Sequence, residues 1–151
     1  MAQYAERTQV SSDKSRADIE KTLTRYGASG FMYGWSNDTA HVAFEMSGRR
    51  VMFRLVLPAR AEFANTETGR SRSAASAESA YEQAVRQRWR ALALVIKAKL
   101  EAVESGITVF EEEFMAHIVL PDGKTVGTHL LPKIEEAYQT GKLPPLLPAP
   151  K

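Results

Sequence analysis

The stretch GFMYGWSNDTAHVAFEMSGRRVMFRLV, residues 30–56, decides the fold. It contains two dipeptides, Asn37-Asp38 and Ser47-Gly48, that suit two-residue hairpin loops. Placing both as such loops fixes the register of three strands. Phe31 then meets Phe44 and Val51, Tyr33 meets Val42 and Phe53, and Trp35 meets Ala40 and Leu55. Every member of those rows is apolar or aromatic, and all fall on one face. The other face carries Gly30 with Glu45 and Arg50, Met32 with Ala43 and Met52, and Gly34 with His41 and Arg54. A slip of one residue in either hairpin would mix the two sets. The stretch therefore predicts a three-stranded antiparallel meander with one apolar face.

The flanking segments supply helices. Residues 1–12 read as a disordered N-terminus. A first helix is expected over 15–26, capped by Ser15 with Asp18 in a capping-box position, its stripe being Ile19, Leu23 and Tyr26. Pro58 stops the third strand, and residues 59–75 read as a long, polar, mobile connection. A long helix is expected over 77–104, capped by Ser76 or Ser79. Its stripe runs through Tyr81, Val85, Trp89, Leu92, Ile96, Leu100 and Val103. That stripe should cover the aromatic face of the sheet, with Trp89 over Tyr33 and Phe53. Thr108 with Glu111 is a further capping box opening a short helix over 109–116. Pro121-Asp122-Gly123 reads as a turn between short extended pieces at 118–120 and 125–126. A last helix over 128–138 would bury Leu130, Leu131, Ile134 and Tyr138, with Pro132 accommodated near its first turn. Residues 143–151 form a proline-rich tail. The expected fold class is α+β: N-terminal helix, meander, long helix on the sheet and short C-terminal helices, one domain over 13–142.

Composition bounds the chemistry. The chain has 151 residues, 44% of them hydrophobic and 25% charged, which is ordinary globular usage. Without cysteine it has no disulfide, thiolate nucleophile or cysteine zinc site. The longest wholly apolar run, residues 91–96, is far short of a membrane span. Residues 1–16 lack the apolar segment of a signal peptide, so the expectation is a soluble cytoplasmic protein. The net charge of +2 is unevenly spread. Residues 49–99 hold 11 Lys/Arg against 4 Asp/Glu, whereas 1–48 are net −1 and 100–151 net −4. A middle third of that sign would attract polyanions.

No catalytic or cofactor motif stands out. Gly123-Lys124-Thr125 has the ending of a phosphate-binding loop, but the glycine needed five positions earlier is Ile118, and the segment reads as a turn. His41, His117 and His129 are not at metal spacing with one another. Glu113 and His117, four apart, read as a local surface pair. The run Glu111-Glu112-Glu113 suits a helix start. No metal, no cofactor and no catalytic residue is assigned.

Two topologies resemble the order helix, three-stranded meander, long helix. One is the double-stranded-RNA-binding domain, whose basic second-helix start is not matched by Ala77-Glu78-Ser79 and Glu82. The other is the β-β-β-α core of single-strand annealing proteins, over about residues 31–104. Separately, residues 84–92 (AVRQRWRAL) and 120–127 (LPDGKTVG) resemble a family of small phage and prophage proteins, over most of the chain. That resemblance implies a phage or mobile-element setting and no particular activity.

The leading expectation is a non-enzymatic phage or prophage accessory protein that binds nucleic acid, single-stranded or duplex, on a basic sheet–loop–helix surface. The residues expected to carry it are Arg50 and Arg54 on the sheet, Arg70 and Arg72 in the connection, and Arg86, Arg90 and Lys97 on the long helix. Guanidinium groups suit phosphate through forked hydrogen bonds. The alternative is a protein-binding module that inhibits a host or defence protein. The face with Met32, His41, Met52, Arg50 and Arg54 is either packed by the C-terminal helices or left open for binding.

Overall fold

A computed structural model describes residues 5–147; the ends of the expected N-terminal segment and of the proline-rich tail, 1–4 and 148–151, lie outside the described residues. The elements are α1 (Ser12–Arg25), β1 (Gly30–Ser36), β2 (Thr39–Met46), β3 (Arg49–Val56), α2 (Ala74–Glu104), α3 (Phe110–Glu113) and α4 (Val126–Thr140). Short 3-10 turns lie at Arg60–Phe63 and Met115–His117. The class is α+β, as the sequence predicts.

The sheet has the order β1-β2-β3, and every row of the expected register is present, from Trp35 opposite Ala40 and Leu55 to Gly30 opposite Glu45 and Arg50. Asn37 and Ser47 both take positive φ in the two hairpin loops, as tight turns of this length demand. The apolar face receives all the packed helices. Ile19 and Leu23 of α1, Trp89, Ile96 and Leu100 of α2, and Phe110 and Phe114 beyond them join Val42, Phe44, Val51 and Phe53 in one core. Phe114 stands edge-on to Phe44 at 5.7 Å and to Phe53 at 6.3 Å. Trp89 packs edge-on to Tyr33 at 5.4 Å, while Phe53 is stacked by His117 at 4.1 Å. Ile118 and Val119 run beside β3 and cover part of its outer edge, with Val119 N–H donating to Arg50 O.

Several expectations need correction. The caps are shifted. Ser11 caps α1 by accepting from Lys14 N–H, and Ser73 caps α2 by accepting from Ser76 N–H. Ser15 is buried inside α1. Thr108 makes no cap for α3, whereas Thr125 caps α4. Helices α1, α2 and α4 each begin where an earlier serine or threonine offers its oxygen to free N–H groups, and periodicity is silent about one turn more or less. The connection 59–75 is a built loop, with a 3-10 turn and an Asn65–Ser71 bridge. It folds onto α2 through Phe63 against Tyr81, and Arg60 over Tyr81 and paired with Glu78.

Trp35 is not under α2; it is 70% exposed, and Tyr81, at the start of the helix stripe, packs against Phe63 of the connection. Nor is α4 a core helix. None of its residues is buried, and Leu131 is 67% and Tyr138 89% exposed. The inner sheet face is already filled by α1, α2 and Phe110–Phe114, so α4 rests on the Met115–His117 turn instead. Pro132 lies in the second turn of α4, beyond the positions where its missing N–H costs nothing. The outer sheet face is left open: Met32, Arg50 and Arg54 are exposed, and His41 and Met52 partly so.

Candidate polyanion-binding groove

Helices α1 and α2 lie side by side on the sheet, and their facing edges define a groove. On α1 the spacing of Asp18, Lys21, Thr22 and Arg25 places all four along one edge. On α2, Arg90, Ala93, Leu94 and Lys97 do the same. Buried Ala93 carries a small side chain between the two helices. The resulting cleft has a volume of about 180 Å³. Arg90 Nη1 donates to Asp18 Oδ2 at 3.0 Å and ties the helices together, and Lys14 reaches the other oxygen of Asp18 at 3.5 Å. Lys21, Arg25 and Lys97 make no ion pair among the described residues. One carboxylate thus faces four lining cations. A low-dielectric wall behind them strengthens their field.

The seven residues expected to bind do not form one surface. Arg90 and Lys97 line the groove. Arg50 and Arg54 lie on the far side of the sheet, where Arg50 donates to Glu45 at 3.0 Å. Arg70 is exposed at the tip of the connection. Arg72 turns inward, donating to Asn65 O at 3.0 Å and Phe63 O at 3.4 Å, and so holds the connection closed. Arg86 donates to Gln83 Oε1 at 2.6 and 3.2 Å. Gln83 in turn donates to Glu6 O and Thr8 O, pinning the segment before α1 onto α2.

The sequence reading missed Lys21 and Arg25. Their four-residue spacing was visible, but they lie in a third of the chain whose net charge is negative, and nothing local says that this edge of α1 faces Arg90. The four-residue spacing of Arg16 and Glu20 suggests a surface pair, but Arg16 pairs with Asp13 instead and lies 4.9 Å from the ring of Tyr33 and 5.1 Å from that of Trp89.

Other polar groups form local pairs. Lys99 pairs with Glu113 at 3.1 Å, and His117 stacks on Phe53. Burial pushes the His117 imidazole below its ordinary range, nearby Lys99 adds to this, and a hydrogen bond to the Met52 backbone opposes it. Asp122 is held below the usual carboxylate range, chiefly by the Lys124 N–H and then by His129, whose Nε2 is 2.6 Å away. Gly123-Lys124-Thr125 is a turn, Gly123 taking φ +83°. Among the described residues no group of three or more His, Cys, Asp or Glu is arranged to hold a metal, and no helix is long and apolar enough to cross a membrane.

Comparison with protein families, with curated proteins and with solved structures finds no match.

Proposed function

We propose that the protein binds nucleic acid by its phosphate backbone along the α1–α2 groove, as a non-catalytic accessory factor. The observation that carries this reading is the set Lys21, Arg25 and Lys97, three cations without a carboxylate partner among the described residues, lined up on two helices held together by Arg90 and Asp18. Phosphate recognition of this kind positions a strand without reading its sequence. A phage or mobile-element setting, which residues 84–92 and 120–127 suggest, accords with such a role.

Binding of labelled single-stranded and duplex oligonucleotides, followed by fluorescence anisotropy over a salt series, tests it. Phosphate contacts release counterions, so three contacts should give a log–log salt slope of about −2 on single strands and about −3 on duplex. Lys21→Ala, Arg25→Ala or Lys97→Ala should each flatten the slope by about 1 without altering sequence preference. Absence of binding to either probe at low salt refutes the proposal.

A second reading rests on a different observation. The uncovered apolar ridge of α4, with Leu131, Ile134 and Tyr138 exposed, suits a protein partner. It is favoured if oligonucleotides fail to bind and substitution on α4 abolishes the biological effect.

A further inference from the structure

We infer that the protein forms a two-fold dimer by antiparallel pairing of β1 with β1 of a second copy, joining two three-stranded sheets into one of six. The open edge is the first observation. β1 pairs only with β2, and its outer side has no backbone partner among the described residues. The far edge of the sheet, in contrast, is partly covered by Ile118 and Val119. Unpaired strand edges are usually protected by Lys, Pro, a bulge or a covering loop. Residues 30–36, GFMYGWS, contain no charge and no proline. They also present Trp35 at 70%, Met32 at 64% and Tyr33 at 40% exposure.

The second observation is that this strand is complementary to itself. A two-fold centred on Tyr33 places Phe31 opposite Trp35 of the second copy, and Tyr33 opposite Tyr33. That gives an aromatic row on the inner face. On the outer face it places Met32 opposite Gly34, and Gly30 opposite Ser36. Each large side chain there meets a small one. Side chains of roughly 200 Å² at these exposures, together with the strand backbone, set an upper limit of about 500 Å² buried per copy. That is about 1,000 Å² in all, the lower bound for a specific interface. The Arg16 guanidinium beside Tyr33 is already countered by Asp13. Such an axis runs perpendicular to the sheet. Both helical layers, and both α1–α2 grooves, then lie on one side. The inference itself is independent of what those grooves bind.

Gly34 makes the test specific to the register. A Cβ at Gly34 meets nothing within 4 Å in the monomer, its φ is not positive, and Met32 is exposed, so Gly34→Lys with Met32→Lys suits the isolated strand. In the dimer, Gly34→Lys combined with Met32→Lys would set like charges directly opposite each other at two places, which destabilises the pairing. Sedimentation equilibrium of the full chain, with far-UV circular dichroism to verify folding, should show a mass rising with concentration towards twice 16.8 kDa. Gly34→Lys with Met32→Lys, and separately Trp35→Lys, should each raise the dimer dissociation constant at least tenfold. Leu131→Lys with Tyr138→Lys on α4 should leave it unchanged. A wild-type chain that stays monomeric at high micromolar concentration overturns the inference. So does a dimer that Gly34→Lys with Met32→Lys leaves intact, or one that only the α4 substitutions dissociate.

Discussion

Replacing Trp89 by alanine probes the contact on which the two-layer arrangement depends. Trp89 is 2% exposed, stands edge-on to Tyr33 at 5.4 Å, and has the Arg16 guanidinium 5.1 Å from its ring. Removing about 200 Å² of buried apolar surface costs about 5 kcal/mol at 25 cal/mol per Å², an upper figure because the unfolded chain is itself partly collapsed. Lost aromatic and cation–π contacts add about 1 kcal/mol, and partial collapse of the cavity returns some of it. The net expectation is about 3–5 kcal/mol. For a chain of this size that lowers Tm by about 6–20 °C. Urea denaturation with thermal melts measures it. Arg88→Ala is the control, because Arg88 is the exposed neighbour of Trp89 and its loss should cost less than about 0.5 kcal/mol. Equal, small effects from both substitutions would refute the packing of α2 on the sheet.

The His117 imidazole has a folded pKa below its ordinary 6.5, so the unfolded chain binds the extra proton first as pH falls. Stability from this group is complete above about pH 6.5 and is lost as pH drops from there towards the folded value. Urea midpoints at neutral and mildly acid pH should show that loss in the wild type and a smaller one in His117→Asn. Limited trypsin digestion should cut first after Arg70, which is exposed at the tip of the connection, and later after Arg72, which is anchored to Phe63 and Asn65. First cleavage after Arg86 or Arg90 would contradict the continuity of α2.

The meander was legible because two constraints met. Each hairpin loop allowed a few registers, and only one combination kept Phe31, Tyr33, Val42, Phe44, Val51 and Phe53 on a common face. The stripe of α2 was legible for the same reason: its core residues recur with a helical period. What escaped depended on contacts distant in sequence. Trp35 had the pattern of a core residue, yet the hairpin end of β1 extends beyond the helices. α4 carries a genuine apolar stripe, but a stripe states only that something should cover it. The basic residues were visible one by one. The pairing of Asp18 with Arg90, which brings Lys21 and Arg25 beside Lys97, joins residues 72 positions apart and has no local signature.

The groove itself is tested most directly by following backbone amide resonances of the labelled protein during titration with a short single-stranded oligonucleotide at low salt. The account predicts shifts concentrated on residues 18–25 of α1 and 90–97 of α2, reversed by added salt and absent in a Lys21→Ala/Arg25→Ala/Lys97→Ala variant. Shifts confined to the outer sheet face around Arg50 and Arg54, or to the connection around Arg70, or no shifts at all, would contradict it.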